Sequence, residues 1–170
     1  NAADLASVAG TGAGGRVTVE DFEAFLRSIE QHRMTPASPM RIAVADSMRR
    51  SWARPLATVG SPVVMDALLA HRKAVNPKPG PALYAIRALA LALAENTAVA
   101  GRLIGSRIVH PRAIDIGFAV EVEDGVLVPV IREVDKIPLA KLVPTYNKLV
   151  EQARTRRLPA DANRPGIATV

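Results

Sequence analysis

Between Ile116 and Ile131 apolar residues alternate with polar or small ones on both sides of an Asp-Gly pair. Ile116, Phe118, Val120 and Val122 take turns with Gly117, Ala119, Glu121 and Glu123, which is the period of a strand with one buried face. Asp124-Gly125 suits the two central positions of a tight hairpin turn, where positive φ is favoured. Val126 to Ile131 then reads as the returning strand. Pro129 has no N–H to give a ladder, so it must stand at an edge or a bulge. A chain with this segment has to build a sheet, and what flanks it decides the class.

The flanks are helical. From Pro81 to about Asn96 the chain is apolar almost all round, with Leu83, Ile86, Leu89, Leu91 and Leu93 set among alanines, as expected for a helix central to a core. Residues 138–156 predict a second long helix, with Pro138 at its first turn and Pro144 deep enough to force a kink or restart. A helix over 40–53 is closed by Pro55. Residues 56–65 read as extended, and Asp66 caps a short helix over 67–75. Leu103–Ile104 and Arg107–Val109 fit a small hairpin across Gly105-Ser106. Residues 166–170 (GIATV) start a further strand. Hydrophobic residues make up 49% of the chain and aromatics 4%, so Ala, Val, Leu and Ile must fill the core. The class is α/β: a mixed sheet with helices packed on one face, preceded by a small helical module.

That module is residues 1–30. The loop Gly10-Thr11-Gly12-Ala13-Gly14-Gly15 runs into Arg16-Val17-Thr18; Thr18 is a natural N-cap, and Asp21 three residues on is a short version of the capping-box partner. Phe22, Phe25, Leu26 and Ile29 then share one helical stripe, which a single helix cannot bury by itself. Residues 31–39 hold two prolines and small polar residues and read as a linker to a larger domain, 40–170.

Several classes are excluded. With no cysteine there is no disulfide framework, thiol nucleophile or cysteine-held metal, and no two histidines have ligand spacing. The net charge of +6 comes mainly from scattered arginines without interleaved aromatics, which argues against nucleic acid and for an acidic protein partner. The most apolar stretch, Ala88 to Ala94, is too short to span a bilayer, and the first residues do not read as a signal peptide, so a soluble protein with no membrane partner is expected. The glycine loop lacks the Lys-Ser/Thr of a phosphate-binding loop.

GTGAGGRVTVEDFEAF resembles the peripheral subunit-binding domain of 2-oxoacid dehydrogenase acyltransferases, with Ala13 in place of a usual proline. TPASPMRIAVADSMRRS, IGFAVEVEDGVLVPVIREVDKIPL and GIATV resemble, in the family's order, successive parts of the N-terminal half of its catalytic domain, whose fold is chloramphenicol-acetyltransferase-like. Pro138 and Val126 depart from the family's usual Ser/Thr and leucine. The resemblance implies residues 1–30 as a partial subunit-binding domain and 40–170 as the first part of the acyltransferase domain.

The resemblance also implies chemistry. Such proteins move an acyl group between a dihydrolipoyl thiol and coenzyme A, with the lipoyl group carried on a domain outside these residues. They assemble as homotrimers in larger cages and bind dihydrolipoamide dehydrogenase or 2-oxoacid decarboxylase subunits, in the cytoplasm or the mitochondrial matrix. It assigns partner binding to Thr11, Arg16 and Asp21, with Asp21 tying down the glycine loop. It places Ser51, Pro55, Leu56, Thr58, Asp124, Gly125, Leu127 and Pro129 along or near the substrate channel. The family's base is a histidine in an H-x-x-x-D-G motif. His32, His71 and His110 all lack that pattern, so no catalytic residue is expected here, and these 170 residues read as an acyltransferase fragment or, alternatively, a non-catalytic scaffold that recruits the dehydrogenase.

Overall fold

The computed structural model describes residues 6–170. They fall into two units, one up to Ser38 and the other from Pro39 to Val170.

In the first unit a tight 3-10 turn over Ala13–Gly15 leads to helix α1, Val19–Glu30. Gly14 and Gly15 take φ of 69° and 77°, a conformation that costs a side-chain-bearing residue dearly. Thr18 caps α1 through both arms of a capping box with Asp21. The apolar stripe of α1 is only half covered; none of its residues is buried.

The second unit holds the core. Helix α2 spans Pro39–Trp52 and α3 Asp66–Ala74. The stretch between them, 53–65, is exposed and joins no sheet. Asp66 does not cap α3: Met65 holds the cap position without a side-chain bond, and Asp66 lies in the first turn, where its charge still favours the helix N-terminus. Helix α4, Pro81–Glu95, follows. Strands β1 (Arg102–Ile104) and β2 (Arg107–Val109) form the expected two-stranded hairpin.

The long alternating segment departs from a plain hairpin in two ways. It divides into β3 (Ile116–Gly117), β4 (Val120–Val122), β5 (Gly125–Leu127) and β6 (Val130–Ile131). Yet both ladders, β3 with β6 and β4 with β5, keep one register. The break has a local cause. Phe118 N–H donates to Pro129 O at 3.0 Å, but proline has no N–H to return; on the opposite edge Ala119 N–H donates to Val170 O at 2.9 Å. The turn also sits one residue earlier than expected. Val122 pairs with Gly125, so Glu123-Asp124 form the loop and Gly125, at φ 155°, opens the return strand. Ala168–Thr169 form β7, which runs parallel to β3, so the sheet order is β6-β3-β7.

Helix α5, Leu139–Arg154, runs through Pro144 as one element rather than restarting there. Pro138 occupies its N-cap. Leu83, Ile86, Ala90 and Leu93 of α4 pack with Leu142, Val143, Leu149 and Ala153 of α5 and with Ile116, Phe118, Val120 and Ile131 of the strands. Helix α4 is therefore amphipathic in place: one stripe is buried, while Leu91 is 44% exposed. The two faces predict different mutational costs. Leu83→Ala, at 0% exposure, should lower unfolding free energy by about 2–5 kcal/mol, and Leu91→Ala by much less, as read by urea denaturation. Equal effects would contradict this packing.

Candidate functional site

Asp21 organises the glycine loop of the first unit. Its Oδ2 accepts Thr18 N–H at 2.8 Å and Thr11 N–H at 2.9 Å, and its Oδ1 accepts the Thr11 hydroxyl at 2.8 Å. Asp21 N–H in turn donates to Thr18 Oγ1 at 3.2 Å. These donors, the Thr18 and Thr11 amides foremost, hold the carboxyl down at about 2 from an ordinary 3.8. The Arg16 carbonyl accepts Gly12 N–H at 2.9 Å, while its side chain stays exposed. The loop thus presents Arg16 on a backbone fixed by one carboxylate.

In the second unit the β4–β5 turn lies against the first half of α2. Arg41 Nε is 3.6 Å from Asp124 Oδ1, and a Cβ on Gly125 would come within 3.2 Å of Met40 Cγ. A mostly apolar hollow of about 330 Å³ lies between Val44, Ala45 and Met48 of α2 and Asp124-Gly125. A smaller one of about 200 Å³ lies between Met40, Leu127 and Leu158. Of the residues assigned to the channel, the structure brings Asp124, Gly125 and Leu127 to these hollows. Ser51 is exposed near the far end of α2, and Pro55, Leu56 and Thr58 lie on the exposed stretch beyond it. Pro129 is fully buried, so its side chain faces the core rather than an open wall.

The sequence reading missed one cluster. Arg132 donates to Asp115 Oδ2 at 2.9 Å and to the Asp161 carbonyl, and its Nε is 3.5 Å from Asp161 Oδ2. Asp115 Oδ1 accepts Glu133 N–H at 2.9 Å, and the Asp115 carbonyl accepts Ile167 N–H at 2.8 Å. The signal was available: Asp115 and Arg132 are the next cross-strand pair outward from Ile116 and Ile131. This clasp ties the loop leading to β7 onto the paired strands.

Two of the three histidines meet a hydroxyl. His71 Nδ1 is 2.7 Å from the Tyr84 hydroxyl, and His110 Nδ1 is 2.8 Å from the Thr97 hydroxyl. Among the described residues no group of three potential ligands could hold a metal, and no helix is long and apolar enough to cross a membrane.

The α/β unit has the fold of acyltransferase catalytic cores, as the superpositions below show. Residues 29–170 match the model for the 2-oxoacid dehydrogenases acyltransferase (catalytic domain), and the chain belongs to that family. It is 30% identical to the dihydrolipoyllysine-residue acetyltransferase component of the Azotobacter vinelandii pyruvate dehydrogenase complex, covering 98% of this chain and 32% of that protein. With a chloroplastic component of the Arabidopsis thaliana complex it shares 28% identity, over 98% of this chain and 40% of the relative. The chain thus spans well under half the length of these relatives. Among solved structures, the Azotobacter vinelandii dihydrolipoamide acetyltransferase superposes with a TM-score of 0.75 at 30% identity, covering 81% of this chain and 61% of that one. The cubic core of a pyruvate dehydrogenase multienzyme complex gives 0.74 with the same coverage.

The pH dependence of the glycine loop follows from Asp21. Because its folded-state value is depressed, its stabilising bonds are fully present above 3.8 and are lost as pH falls towards about 2. The Thr11 and Thr18 amide resonances should hold their positions down to about pH 4 and shift together below it. In Asp21→Asn that concerted shift should vanish; its persistence would show that another group titrates.

Proposed function

We propose that these residues form part of the acyltransferase core of a 2-oxoacid dehydrogenase complex, moving an acyl group between a dihydrolipoyl thiol and coenzyme A. The observation that carries it is the family match over 29–170 together with backbone agreement with the Azotobacter vinelandii acetyltransferase at 30% identity. The relatives' names favour acetyl as the group moved.

In this reaction a neutral imidazole takes the proton of the attacking thiol, the thiolate adds to the thioester carbonyl, and a hydrogen-bond donor steadies the oxyanion. The residues present contribute walls rather than the base. The hollow between α2 and the β4–β5 turn is the proposed channel wall. Ser51 and the stretch with Pro55, Leu56 and Thr58 are proposed to border the same channel where copies of the chain meet in a trimer, with trimers building a cage. The Asp21-braced loop with Arg16 is proposed to recruit the dehydrogenase or decarboxylase subunit. That role suits an exposed guanidinium on a rigid turn facing an acidic surface.

The test is acyl transfer from acetyl-CoA to dihydrolipoamide by the gene product that carries these residues. Turnover supports the proposal; none, with dehydrogenase binding retained, would replace it by a scaffold. The 170-residue polypeptide alone should show no turnover, since none of its three histidines is followed by the family's motif. Arg16→Glu should weaken capture of dihydrolipoamide dehydrogenase at low salt and flatten its salt dependence. Unchanged affinity would remove Arg16 from the interface.

A further inference from the structure

A hollow of about 420 Å³ lies beside the β1–β2 hairpin. Its lining includes Arg102, Ile104 and Val109 of the strands, His110 and Arg112 of the segment that follows, and Ile167, which leads into β7. Arg102 pairs across with Val109 and Ile104 with Arg107, and cross-strand partners share a face. That one face therefore carries two guanidinium groups and two branched aliphatic side chains. Ile104 and Val109 stay 62% and 51% exposed.

The positive charge around the hollow is unopposed. Asp115 is the one acid of the lining, and both its oxygens are engaged, Oδ2 by Arg132 and Oδ1 by Glu133 N–H. Arg102, Arg107 and Arg112 make no ion pair among the described residues. His110 meets the Thr97 hydroxyl through Nδ1, and its Nε2 has no partner among those residues. Free cations thus stand beside aliphatic walls in a hollow within the range of about 300–1,000 Å³ typical of small-molecule sites. No aromatic side chain lines it, so it offers no ring for a nucleobase to stack on.

We infer that this hollow binds a short-chain aliphatic carboxylate. Arg102 and Arg112 take the head, whose two oxygens match the planar fork of a guanidinium. Ile104, Val109 and Ile167 take the tail. The hollow shares no lining residue with the one between α2 and the β4–β5 turn, so this is a second site and not the proposed channel wall. It does not depend on the proposed reaction, and binding and turnover are read separately. A two-stranded ribbon is marginal by itself, and a ligand held between β1–β2 and the approach to β7 would steady it.

The experiment is isothermal titration calorimetry of the full chain with hexanoate, acetate, hexanol and inorganic phosphate. Hexanoate should bind saturably, with one molecule per chain. Acetate should bind at least tenfold more weakly, since each buried methylene is worth about fourfold. Hexanol lacks the charge and phosphate lacks the tail, so both should also be at least tenfold weaker. Arg102→Gln/Arg112→Gln should weaken hexanoate by roughly tenfold, through loss of the charge-assisted bonds. Ile104→Ser should weaken hexanoate and leave acetate unchanged. Circular dichroism and unfolding midpoints close to wild type establish that the variants fold; should the double variant not fold, Arg112→Gln alone, outside any strand, replaces it with a severalfold loss as the readout. No saturable binding of hexanoate at millimolar concentration, hexanol or phosphate binding as tightly as hexanoate, several molecules bound per chain, or folded variants that bind like wild type would each overturn the inference.

Discussion

The register of the hairpin between Ile116 and Ile131 is the constraint on which the second unit depends. Side chains alternate with a period of two, so a slip of one residue would turn Phe118 and Val120 to solvent and bring Glu121 into the core. Three features hold the register. Gly125 opens the return strand in a conformation and at a distance from Met40 that a side chain would spoil. Pro129 accepts from Phe118 and cannot donate, which fixes where the ladder divides. At the far end Asp115 and Arg132 close the pairing with charge-assisted hydrogen bonds, shielded enough to be worth more than a surface ion pair.

From that register the remaining placements follow. Ile116 and Gly117 are left with a free side, and β7 takes it in parallel, bonded through Ile167 to Asp115 and through Val170 to Gly117. Glu121 and Val126 are turned outward, and the β4–β5 turn is brought to α2. The core is completed by α4 and α5, whose stripes cover the inward side chains. One register therefore positions the core and the proposed channel wall.

Much of this was legible in the sequence, and the misses have physical reasons. The alternation announced the strands because one face is buried, and the capping box at Thr18–Asp21 was readable because both partners are local. The β1–β2 hairpin was likewise set by its own glycine. The turn was misplaced by one residue: Asp124-Gly125 is a strong local signal, but Gly125 is required where the strand passes Met40, a tertiary demand invisible to spacing. Asp66 looked like a cap and is an N-terminal helix residue. The Asp115–Arg132 clasp went unread because its carbonyl partners come from the loop before β7, far along the chain. In the proposed site, the β4–β5 turn meets α2, and Pro129 is buried while its carbonyl accepts Phe118 N–H.

The central claim is that the hairpin register, closed by Asp115 and Arg132, holds β7 in place. Native-state hydrogen exchange on Asp115→Ala tests it most directly, since the substitution keeps every backbone group and removes only the carboxylate. The account predicts that the amides of Ala119, Ile167 and Val170 lose protection by roughly tenfold or more, while those of Leu149 and Ala153 in α5 keep theirs. Unchanged protection at Ile167 and Val170 in a folded variant would contradict it.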